Sequence, residues 1–108
     1  MALVTKTFAL QNTTAFSLDL SSAAPARLSV TAKSECYIRP VLASQTVSTP
    51  GASPAPSGGA SADYVHMQAG ESVTFDLASG FSHKQSGDTF QKIVGWGVAA
   101  GDLIVVGV

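Results

Sequence analysis

The sequence is short of charge. Charged residues make up 12% of its 108 positions, about half the ~25% of an ordinary soluble domain. The net charge is −1, and the six Lys and Arg are scattered, so the basic stripe of a nucleic-acid binder is missing and no nucleic-acid partner is expected. The acidic residues Asp19, Glu35, Asp63, Glu71, Asp76, Asp88 and Asp102 stand singly, which gives no converging carboxylates for calcium. His66 and His83 are the only histidines and Cys36 the only cysteine. That excludes an internal disulfide and leaves no zinc-ligand spacing. Cys36 reads as a small buried hydrophobe. No apolar run approaches the ~18 residues of a membrane span, so no membrane partner is expected. "MALVTKTFAL" has one Lys and no apolar h-region, and does not read as a signal peptide.

Catalytic motifs are missing too. The chain has no G-x-S-x-G elbow, H-E-x-x-H, Walker loop or paired cysteines, and no nucleophile, base and orienting group at telling spacing. Cys36, His66 and Asp63 can be drawn as a triad, as three such residues can in any small protein. A non-enzymatic chain without cofactor or metal is expected. One Trp and two Tyr could serve a sugar platform, but Trp96 sits in "IVGWGV", inside an apolar strand, and reads as a packed side chain. Gly95 and Gly97 beside it mark a close backbone approach or a bulge.

What is present is a period of two. "AFSLDL" aligns Phe16, Leu18 and Leu20 on one face; "RLSVTAK" aligns Leu28, Val30 and Ala32; "ESVTFDL" aligns Val73, Phe75 and Leu77. Polar residues fill the alternate positions, as in antiparallel strands with one wet face. Val4–Leu10 is β-rich but carries Lys6 on the Val4/Phe8 face. Cys36–Leu42 contains Pro40, which predicts an edge strand or strand end. Tyr64–Met67 is short. Phe90–Val98 and Leu103–Val108 are nearly continuous apolar runs, the pattern of strands covered on both faces. Turns fall at Gln11–Thr14, Ser21–Pro25, Gln68–Glu71 and Ala99–Asp102, with Gly70 and Gly101 available for positive φ, and a polar loop runs from Ser79 to Asp88. No segment reads as a helix. The fold expected is all-β: an antiparallel β-sandwich or jelly roll of about eight strands, one domain over residues 1–108.

One segment does not fit a compact β domain. "SQTVSTPGASPAPSGGASA", residues 44–62, has fifteen Ser, Ala, Gly or Pro among nineteen residues and no charge. Loops of that length are uncommon and usually functional or disordered. Pro50, Pro54 and Pro56 stiffen it, Gly51, Gly58 and Gly59 let the backbone approach closely, and Val47 is its one sizeable apolar side chain. The segment is expected to be an extended loop or arm docking on a neighbouring subunit. Low charge with 45% hydrophobic residues points the same way, to a homo-oligomer whose contact includes Val106 and Val108 of the last strand.

"ADYVHMQAGESVTFDL" (62–77), "RLSVTAKSECYIRPVL" (27–42) and "AAGDLIVVGV" (99–108) carry a resemblance. They resemble the strand–turn–strand unit, the preceding strand pair and the closing strand of small tailed-bacteriophage virion proteins. The resemblance implies a structural protein of the virion, synthesised in the host cytoplasm. Its first implied role is a head decoration (cement) protein, trimeric, bound to the major capsid protein. A neck, tail or fibre-base adaptor and a carbohydrate-binding or adhesion module are the alternatives.

Overall fold

A computed structural model describes residues 4–45, 64–79 and 85–108. Among them are eight strands: β1 (Val4–Leu10), β2 (Thr14–Asp19), β3 (Arg27–Ala32), β4 (Cys36–Leu42), β5 (Val65–Met67), β6 (Ser72–Asp76), β7 (Phe90–Gly97) and β8 (Gly101–Gly107). A single 3₁₀ turn, Leu77–Ser79, follows β6. The strands form two four-stranded antiparallel sheets, here sheet A (β1-β8-β3-β6) and sheet B (β2-β7-β4-β5). Partners along the chain are nested: β1 pairs with β8, β2 with β7, β3 with β6 and β4 with β5. That is a long hairpin rolled up on itself, the eight-stranded jelly roll.

The period-two runs supply the core. Phe16, Leu20, Leu28, Val30, Ala32 and Leu77 are buried between the sheets, and Leu18, Val73 and Phe75 are partly buried against them. Fully covered Phe90, Ile93, Leu103 and Val105 join them, each contributing about 1.5–3 kcal/mol of burial.

Several local devices explain the strand ends. Gly70 turns the chain between β5 and β6 at φ 88°, as the sequence predicts. Gly101 does not share that role. It is the first residue of β8, and a side chain there would meet Ser34, whose hydroxyl donates to Ala100 O at 2.7 Å. Close packing, not backbone conformation, demands glycine at that position. Pro40 also departs from expectation, because β4 is an inner strand between β7 and β5. β5 pairs only with Cys36–Ile38. Among the described residues no strand flanks Pro40 on that side, and a missing N–H is tolerated there. Lys6 sits opposite Val105, in phase with core-facing Phe8, on edge strand β1. An inward charge on an edge strand discourages pairing with another chain's edge.

Candidate interaction surfaces

The outer face of sheet A is a patterned surface. Thr5, Val106, Ser29 and Thr74 form one rank across the four strands, and Thr7, Ile104, Thr31 and Ser72 the next. Within the ranks, Ser29 and Thr74 hydroxyls lie 3.1 Å apart and Thr31 and Ser72 hydroxyls 2.8 Å apart. These cross-strand pairs fix the side chains of β3 and β6. The middle of the face carries no charge. At one end Arg27 Nε lies 4.0 Å from Asp76 Oδ2, an exposed pair worth little to stability.

Val106 and Val108, expected at a contact, are brought together here. With Arg27 and Ser29 they line a shallow depression of about 220 Å³. Val108 is 39% exposed, and Ile104 and Val106 are half-buried. The apolar run of β8 is therefore covered on its inner face and left partly open on its outer one. The expectation of cover on both faces is not met by the single chain.

β7 does meet it. Ile93 and Phe90 enter the core, while the alternate residues Val94 and Trp96 face outward from sheet B and are still buried, at 0% and 3% exposure. Trp96 is thus packed, as its setting predicts, but outside the main core. It cannot serve as an exposed sugar platform. The neighbouring Gly95 faces the opposite way, into the core. A methyl group there would meet Tyr37 O and stand 2.8 Å from the Phe16 ring. At Gly97 it would lie 2.6 Å from Gln11 O. Both glycines permit close backbone approach.

On this same outer face of sheet B, a rank runs Ala15–Trp96–Tyr37–His66. The rings of Tyr37 and His66 stack, and His66 Nε2 donates to Glu35 Oε2 at 2.6 Å. The His66 and Glu35 side chains are 40% and 37% exposed. This polar aromatic group was not foreseen. Its sequence signal is Tyr37 on β4, with Glu35 just before that strand, and His66 on β5, two strands whose pairing is not local.

Cys36 is opposite Met67 and points into the core, whereas the next pair, Tyr37 and His66, points outward. Cys36 and His66 therefore lie on opposite faces of the sheet. Burial, and then the Glu35 charge, push the Cys36 thiol up to about 11. A thiol so protonated is a poor nucleophile. Among the described residues no three His, Cys, Asp or Glu converge as metal ligands. Val47, Pro50, Gly51, Pro54, Pro56, Gly58 and Gly59 of the expected arm, and Asp63 and His83, lie outside the described residues.

Compared with known protein families, curated proteins and solved structures, the chain gives no match.

Proposed function

We propose that the chain is a non-enzymatic structural protein of a tailed-phage virion, a head decoration protein that attaches through the outer face of sheet A. The supporting observation is the apolar line of Ile104 and Val106 on β8 and Val108 just beyond it, with Thr5, Thr7, Ser29 and Thr31 flanking the two strand residues and no charge between them. Such a face suits a dry, flat contact with a shell or a second copy, with a polar rim formed by Arg27 and Asp76. Self-association, with a trimer as the expected state, is part of this reading. The jelly roll supplies a rigid support.

The test is co-sedimentation of the purified chain with phage heads assembled without it. The chain should sediment with the heads, and Val106→Asp should weaken binding at least about tenfold, the cost of burying an unpaired charge. Failure of the parent chain to sediment, or unchanged binding by a folded Val106→Asp, would contradict the reading. A carbohydrate-binding module is the second reading. It is supported by the half-exposed Tyr37–His66 stack beside Glu35, and glycan binding lost in His66→Ala would favour it.

A further inference from the structure

Hydrogen-bond parity identifies which backbone groups of β2 are open. Leu20 N donates to Gln91 O at 2.7 Å. In the same register Leu18, Phe16 and Thr14 turn their amides and carbonyls to β7, opposite Ile93, Gly95 and Gly97. The far side of β7 has the matching parity. Val98 N donates to Glu35 O at 3.0 Å, so Trp96 and Val94 bond to β4, and the residues between them bond to β2. Ala15, Ser17 and Asp19 therefore direct their backbone groups away from β7. β2 is an edge of sheet B. Among the described residues no strand lies beyond it, and no backbone group of these three has a partner.

An open edge is a template for another strand, and proteins blunt such edges with lysine, proline, inward charge or short length. β1, the edge of sheet A that borders β2, has Lys6 in phase with core-facing Phe8. β5, the other edge of sheet B, has only three residues. β2 has six, "TAFSLD", without lysine or proline, and its single charge, Asp19, stands last. Alongside it a groove of about 150 Å³ opens between β1 and β2, lined by Phe8, Gln11, Thr14, Ala15 and Phe16 among others. The Phe8 and Phe16 rings lie 5.0 Å apart. A free strand edge with an apolar groove beside it is the form of a strand-addition site.

We propose that β2 pairs with β2 of a second copy, antiparallel about a two-fold axis at Ser17, joining the two copies of sheet B into one continuous sheet. The occupant is a second copy because β2 complements itself. With Ser17 opposite the partner's Ser17, Ala15 stands opposite the partner's Asp19. Open groups then meet open groups, with about six backbone hydrogen bonds. A slip of one residue would set open groups against bonded ones and put core-facing side chains on the outer face. A slip of two residues leaves fewer pairs. On the groove side Phe16 stands opposite the partner's Leu18, and Leu18 is half-buried in the single chain. Each copy thus brings a leucine to the rim of the other's groove. Like charges do not oppose one another. The two Asp19 residues are about 13 Å apart along the strands, and each has Lys92 across from it on β7. A strand edge is a small contact, so the pairing is weak and concentration-dependent. It uses the edge of sheet B and is independent of the outer face of sheet A and of any virion role.

Ser17→Cys reads the axis directly. Ser17 is exposed, and Cα atoms in a hydrogen-bonded antiparallel pair lie about 5.5 Å apart, within disulfide reach. Buried Cys36 does not compete. Mild oxidation at high micromolar chain should yield a covalent dimer whose linked peptide maps to position 17. Asp19→Cys should link at least about tenfold more slowly, because its two copies are too far apart to bridge. Sedimentation in the Val106→Asp background, which disables the sheet A face, should still show self-association. Adding Ser17→Lys, which sets like charges across the axis, should weaken that association about tenfold with the β circular dichroism spectrum retained. Absence of the position-17 link would overturn the proposal. So would equal linking by Asp19→Cys, or unchanged association in folded Ser17→Lys.

Discussion

The rings of Tyr37 and His66 stack with centroids 4.5 Å apart and planes inclined by 11°. The pair joins β4 to β5, a strand of three residues, and Glu35 holds the far side of the imidazole at 2.6 Å. A strand so short has few ladder bonds, and its side chains carry much of its attachment. His66→Ala should lower the unfolding free energy by about 1 kcal/mol, and amide exchange at Val65–Met67 should accelerate first. Urea denaturation with hydrogen exchange checks both. An unaffected β5 would mean that Met67 alone anchors the strand.

Gly95 and Gly70 predict opposite kinds of damage. A methyl group at Gly95 meets the Tyr37 carbonyl and the Phe16 ring, neither of which is a flexible tip. Gly95→Ala should cost about 3 kcal/mol through overpacking. Gly70 has open space around it but φ 88°, and Gly70→Ala should cost only about 1–2 kcal/mol of backbone strain. Thermal denaturation of the two variants gives the order.

Cys36 makes stability depend on alkaline pH. Its thiol is raised from the usual 9.0 to about 11 by burial first and the Glu35 charge second. Between those values the unfolded chain has lost a proton that the native chain retains. The native state then binds more protons, so stability falls as pH rises through that window and is fully present below it. Cys36→Ala should flatten this decline while lowering stability at neutral pH through lost packing. Denaturation curves from pH 8 to 11 show it. Thiol reagents should label the parent only on unfolding.

Val106→Asp should leave the fold intact. The residue is half-buried on an outer face, and substitutions away from the core usually change stability by less than about 1 kcal/mol. A parent-like circular dichroism spectrum, with a melting temperature close to the parent's, is the expected result, and it separates loss of binding from loss of structure.

Much of the fold was legible in the sequence where one face of a strand is apolar and the other wet. Leu28, Val30 and Ala32 of β3 went inward as their alternation dictates. The runs with two apolar faces were harder. "FQKIVGWG" does not reveal that Ile93 faces the core and Trp96 the outside, because periodicity gives two faces without ranking them. "LIVVGV" has a similar apolar pattern, yet its outer face is partly open, because a run of apolar residues does not say which of its faces is covered. Pro40 alone points to an edge strand or a strand end, because the length of β5, which decides the matter, is not written near Pro40. Val106 and Val108 could be named from hydropathy. Their grouping with Arg27 and Ser29 needed the β3–β8 register.

Electron cryomicroscopy of phage heads carrying the chain tests the central claim most directly. The account predicts jelly-roll density on the shell with sheet A facing a protein neighbour and Ile104, Val106 and Val108 in the contact. Density with sheet A turned to solvent, or heads that remain bare at saturating chain, would contradict it.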